Sequence, residues 1–124
     1  KDQLAWVVRG EGREVITAGS SEEAIQLIQQ HEFDVIVTDL KMEKDTAGLD
    51  VLRAAKDKDI SAQVIVITSY GTPEISIETM RLGAFDYLER NSPGTDALRM
   101  VKYKIALALE FRNAKNTKGS SGYE

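Results

Sequence analysis

The chain has 124 residues, 42% of them hydrophobic, and carries a net charge of −4; that suits one folded domain with a single core. It has no cysteine, which excludes disulfides and thiolate metal sites and leans toward a cytoplasmic setting. No apolar run approaches the roughly 18 residues of a membrane span, no secretory segment opens the chain, and no basic block suits it to gripping nucleic acid.

In chain order, Leu4, Ala5, Val7 and Val8, ending at Gly10 and Gly12, are compatible with a helix of about two turns. The alternative is a short strand over residues 4–8, hairpinned through residues 9–12. The helix is favoured because a hairpin would insert an antiparallel pair into an otherwise parallel pattern. Glu14–Ala18 is a β-branched strand. Ser20 and Ser21 then cap a helix over residues 22–31, in which Ala24, Leu27 and Ile28 recur at helical spacing. Val35–Asp39 is an apolar strand of the kind buried on both faces of a sheet. A helix over residues 48–58 presents Leu49, Leu52 and Ala55 on one face, and Gln63–Thr68 is a second apolar strand. Pro73 stands near the first position of the next helix, which stops at Gly83. Residues 84–88 form a strand, residues 91–94 a loop, and Thr95 caps a long amphipathic helix through about Arg112. Residues 113–124, with Lys-Gly-Ser-Ser-Gly, read as a flexible linker or tag remnant.

Alternating strands and helices imply an α/β fold with right-handed crossovers and a parallel sheet. In such a sheet, ligands and chemistry sit at the C-terminal edge of the strands. Asp39 ends one strand there, Thr68 ends the next, and Arg90 follows the last. An acid, a hydroxyl and a cation from successive strand ends make a phosphoryl site.

These residues resemble the receiver domain of two-component response regulators, over about residues 4–112. The resemblance is carried by Asp39 followed by Met42, by Gly48 and Leu49, by the apolar run from Val64 to Ser69, and by the Arg81-Leu82-Gly83-Ala84-Phe85-Asp86-Tyr87-Leu88 segment. It implies a flavodoxin-like, doubly wound parallel sheet of strand order 2-1-3-4-5. It also implies phosphoryl transfer from a histidine kinase or phosphotransfer protein, with magnesium required. By position, Asp39 resembles the phosphoacceptor, Thr68 the switch hydroxyl, and Tyr87 the aromatic whose rotamer follows it. Arg90 stands where the family has lysine, and the backbone carbonyl of Lys41 stands where the family has a magnesium ligand. Tyr70 would line the same site. The implied product is a signalling module, not an enzyme, that switches an interaction face and pairs with a second copy through residues 72–112.

The chain also departs from the family. The register of Val8, Gly12 and Glu14–Ala18 aligns residues 4–11 with the later part of the family's first helix. The domain, residues 1–112, then starts within that helix. The first strand and its acidic pair are expected to be absent from this sequence, and no strand after Arg112 replaces them. The expectation is an incomplete sequence and weak magnesium binding, because one carboxylate and one carbonyl leave too little charge. A sheet with that central gap would expose two unpaired edges. Arg90 substitutes a planar fork for a compact ammonium, Asn91 replaces a proline, and Glu43 alters the loop after Met42. Three ordinary readings accompany these. His31 is a structural residue at a helix end, Trp6 is partly buried, and Asp2, Glu11 and Glu14 are ordinary acidic residues rather than metal ligands. A receiver-shaped interaction module that no longer uses phosphate is the competing function. A flavodoxin-like cofactor binder is disfavoured because no Gly-rich phosphate loop follows a strand.

Overall fold

The computed structural model describes residues 5–9, 14–18, 20–41, 46–69, 71–90 and 96–121. The elements run β1 (Ala5–Arg9), β2 (Glu14–Ala18), α1 (Ser21–Gln30), β3 (Val35–Asp39), α2 (Ala47–Lys58), β4 (Gln63–Thr68), α3 (Pro73–Arg81), β5 (Asp86–Glu89) and α4 (Ala97–Ser121). One sheet holds all five strands in the order β2-β1-β3-β4-β5. The strands β3, β4 and β5 are parallel, with Asp39 opposite Ile67 and Thr68 opposite Glu89. The flavodoxin-like order expected from the family is therefore present.

The two-turn helix expected from Leu4, Ala5, Val7 and Val8, ending at Gly10 and Gly12, is not present among the described residues 5–9. Ala5–Arg9 is a strand, antiparallel to β2 with Arg9 opposite Glu14, and antiparallel to β3 with Val7 opposite Ile36. The reason is tertiary. β2 and β3 flank a central slot, and an apolar segment rich in β-branched and aromatic residues satisfies the backbone groups of both edges. The strand of the alternative reading thus prevails over residues 5–9, and the slot expected to be empty is filled.

The two faces of the sheet bury separate clusters. Val64 and Val66 of β4 join Ile36, Ala24, Ile28, Leu49, Leu52 and Ala55 beneath α1 and α2, with Ile75 of α3 against them. Ile65 and Ile67 join Val35 and Val37 beneath Val101 and Ala108 of α4. This is the period-two alternation of strands covered on both sides, and β3 and β4 are buried at every position.

The helix ends follow local chemistry. Ser20 Oγ accepts from the Glu23 N–H at 3.1 Å, and Thr72 Oγ1 from the Ile75 N–H at 3.2 Å, with Pro73 at the start of α3. α1 has no basic residue in its last turn. Lys58 of α2 compensates, its Nζ donating to the carbonyls of Ile28 and His31 at 2.5 and 2.7 Å. His31 is the C-terminal cap of α1, as a structural reading requires. Gly83, at φ 102°, occupies the left-handed conformation that ends α3.

Two boundaries at the last helix differ from expectation. Asp96 Oδ1 accepts from the Arg99 N–H at 3.2 Å and supplies the cap, while Thr95 lies outside the described residues. α4 also continues through Ser121 instead of ending near Arg112, so residues 113–121 are helical. Arg112 marks where this helix is tied to the sheet. Its guanidinium donates to Asp34 Oδ1 at 2.8 Å, Ser61 Oγ at 2.7 Å and Asp59 Oδ2 at 3.1 Å.

Candidate functional site

The site is built at the C-terminal edge of β3, β4 and β5. β3 delivers Asp39 to that edge, where it remains 7% exposed. The strand end is fixed from two sides. The Leu40 N–H donates to the Ile67 carbonyl at 2.7 Å, and the Gly48 N–H donates to the Leu40 carbonyl at 2.8 Å. A Cβ at residue 48 would lie 2.5 Å from the Asp39 carbonyl oxygen and 2.8 Å from Leu40 Cα. Glycine there is what lets the start of α2 close onto the end of β3. Thr38 Oγ1 donates to the Asp39 carbonyl at 3.0 Å, another constraint on the same peptide.

The guanidinium of Arg90 donates to Asp39 Oδ1, closing an ion pair between residues 51 positions apart. Arg90 is placed by its own backbone, whose N–H donates to the Thr68 carbonyl at 2.7 Å. Thr68, 3% exposed, ends β4 between the strands that carry Asp39 and Arg90. Asp39, Thr68 and Arg90 therefore converge as the sequence expects. Lys41 lies exposed just past Asp39.

Tyr87 lies opposite Val66 on β5, and its ring packs against the cluster on the α1–α2 face. Its hydroxyl is buried and, among the described residues, has no hydrogen-bond partner. Burial first, and then the negative charge of Glu89, push its phenol above the ordinary tyrosine range. An open cleft of about 450 Å³ adjoins it, lined by Gly71, Thr72, Pro73, Ser76, Tyr87, Leu88 and Glu89. Tyr70, Asn91 and the loop from Met42 to Asp45 lie outside the described residues. Gly71 was not singled out by the sequence: a glycine in a Gly-Thr-Pro turn signals only the turn, and its apposition to Tyr87 exists only once β5 is placed.

A family model described as the response regulator receiver domain matches residues 1–102. This chain belongs to the response regulator receiver domain family. It is 33% identical over 104 residues to the regulatory protein LuxO of Vibrio cholerae, covering 83% of this chain and 22% of that protein. It is also 33% identical over 100 residues to the alginate biosynthesis transcriptional regulatory protein AlgB of Pseudomonas aeruginosa, covering 80% and 22%. The chain thus spans about a fifth of these relatives. Among solved structures, it is similar to the receiver domain of a LuxO repressor protein from Vibrio parahaemolyticus, at 30% identity and TM-score 0.67, covering 81% of this chain and 73% of that one. A receiver domain from Clostridium thermocellum gives 30% identity and TM-score 0.66, covering 78% and 75%.

Receiver domains are phosphoaccepting signalling modules of two-component systems, and they generally bind magnesium at an acidic site. The donor set described here does not by itself fit that ion. Among the described residues no three His, Cys, Asp or Glu side chains group together. Asp39 Oδ1 is also engaged by a guanidinium, whereas magnesium demands about six oxygens in near-octahedral geometry. Among the described residues, no helix is long and apolar enough to cross a membrane.

Proposed function

We propose that Asp39 is the phosphoacceptor, with Arg90 and Thr68 as the groups that receive the phosphoryl oxygens and Tyr87 as the aromatic that reports the change. The observation that carries this reading is the Asp39–Arg90 ion pair at a strand edge, with Thr68 on the strand between them. One Asp39 carboxylate oxygen would form the O–P bond as the P–N bond of a phosphohistidine breaks. Catalysis in such a transfer is mainly positioning and charge neutralisation. The peptide of Asp39 is held by Thr38, Gly48 and the β4 backbone. The guanidinium that neutralises the carboxylate before transfer would pair with phosphoryl oxygens afterwards. Thr68, drawn toward the new charge, would shift the segment leading into α3, a population shift driven by local electrostatics.

The partners of this reading are a histidine kinase or phosphotransfer protein, in the cytoplasm, without direct contact between this domain and nucleic acid. A magnesium ion held by Asp39 and the Lys41 carbonyl would need further oxygens, so its binding by this chain is weak. The same reading makes the face of residues 72–112 a pairing surface for a second copy. Ile77 and Met80 of α3 and Met100 and Tyr103 of α4 are exposed there. The ion pairs Arg81–Glu78 and Lys104–Asp86 lie on the same elements.

The test is labelling with a small phosphodonor and magnesium, read by acid-labile phosphate and intact mass. The expected result is one phosphoryl group, lost in Asp39→Asn. Undiminished labelling of that variant would overturn the assignment. A folded chain that takes no phosphate would favour the phosphate-independent module.

A further inference from the structure

We propose that Gly71 is the positioning residue that allows Tyr87 to occupy its inward state, so that the side chain at residue 71 sets the balance between inward and outward Tyr87. The inference deepens the reading of Tyr87 as the responding aromatic and rests on it for its functional meaning.

The argument is steric. A Cβ at residue 71 would sit 2.0 Å from Tyr87 Oη and 3.0 Å from its Cζ, with Glu89 Oε2 at 3.2 Å. The ring tip of Tyr87 therefore occupies the space that any other side chain at 71 would fill. The backbone of Gly71 is not in the left-handed region, in contrast to Gly83. An alanine at 71 thus avoids the left-handed penalty, and the main conflict is with the Tyr87 side chain, the end of Glu89 being a lesser one.

Among the described residues, no hydrogen bond holds Tyr87 inward. Its hydroxyl is buried with no hydrogen-bond partner among the described residues. The inward state is therefore held by ring packing and by the room Gly71 leaves, while the outward state regains solvation for the hydroxyl. The cleft beside it, bounded by Thr72, Pro73 and Ser76, is open space into which the ring can move. Gly71 also lies in the short segment between Thr68 and α3. Movement of Thr68 would carry Gly71 with it and change the clearance over Tyr87. Coupling between the two then needs only one close contact.

The experiment uses the full chain with ring-labelled tyrosine, the Tyr87 signal being assigned by its loss in Tyr87→Leu. In Gly71→Ala the Tyr87 signal should move to its solvent-exposed position, the inward fraction falling by about tenfold or more. In the Tyr87→Leu background the same alanine should leave the urea midpoint unchanged. A Tyr87 signal that stays in place in Gly71→Ala would overturn the proposal. So would an equal loss of stability in both backgrounds, since the glycine would then serve the backbone. If Gly71→Ala alone does not fold, folding of the Gly71→Ala, Tyr87→Leu double variant supports the proposal, and failure of both overturns it. The ring signal is read without phosphate. If the wild-type chain takes no phosphate on Asp39 but Gly71→Ala still displaces the ring, the site reading fails and this one stands.

Discussion

Tyr87 shows what a single buried polar atom can do in a small domain. An unpaired hydroxyl under a packed ring costs roughly 1–3 kcal/mol of desolvation, and among the described residues no partner offsets it. Tyr87→Phe should therefore stabilise the chain by about 1 kcal/mol in urea denaturation, against the usual trend for core-facing substitutions. Unchanged or lower stability would show that the hydroxyl is paired in solution. The residue scale is also where the sequence was most informative. Asp39, Thr68 and Arg90 each end or follow an apolar strand, and parallel strands bring such positions to one edge. Their convergence is geometry that period-two patterning already contains. The Gly71–Tyr87 contact was not legible, because it depends on how a turn after β4 sits over a side chain of β5.

At the scale of elements, local signals located β2, β3, β4, α1 and α3 closely, since each has strong periodicity and its own end chemistry. Where they failed, another level decided. Leu4, Ala5, Val7 and Val8 suit a helix by spacing, yet the vacancy between β2 and β3 recruits Ala5–Arg9 as a strand. The Lys-Gly-Ser-Ser stretch reads as linker by composition, yet α4 runs on to Ser121. Nor does any local pattern reveal the clasp of Arg112, whose partners Asp34 and Ser61 lie 78 and 51 positions away. That clasp pins α4 across the start of β3 and the turn before β4. The Arg112 side chain is 13% exposed against carboxylates at 28%, so solvent screens the pairs only in part. Arg112→Ala should cost about 2 kcal/mol, below the range for a fully buried pair. Burial opposes ionisation of Asp59, but hydrogen bonds from Ser61 and the charge and hydrogen bond of Arg112 outweigh it, so its pKa falls below 3.8. A carboxylate with a depressed folded pKa adds stability that is complete above its unfolded value and vanishes as pH falls through the folded one. The stability difference between wild type and Asp59→Asn should therefore be flat from neutral pH down to about pH 5 and shrink below about pH 4. A difference that grows as pH falls below about 4 would place Asp59 outside the clasp.

For the whole molecule, the decisive feature is the central position of β1. A strand order in which β2 and β3 flanked an empty slot would leave β3, buried at all of its positions, with an unsatisfied hydrogen-bonding edge. Such an edge, long and apolar, recruits other chains. β1 removes that hazard by pairing on both sides, Val7 facing Ile16 on one and Ile36 on the other. The antiparallel direction is accessible to it because a short hairpin suffices, where a parallel strand would need a crossover of a dozen residues or more. It follows that the intact chain should melt cooperatively, with amides of β3 protected from hydrogen exchange about as well as those of β4. Deleting residues 1–9 should expose β2 and β3 together, abolish the cooperative transition and produce large species in light scattering. The Asp39 site would be lost with it, since Asp39 sits at the end of the strand that loses its neighbour. A deleted chain that stayed monomeric and kept its melting midpoint would show that Ala5–Arg9 does not occupy the centre of the sheet, and would return those residues to the helix that their spacing first suggested.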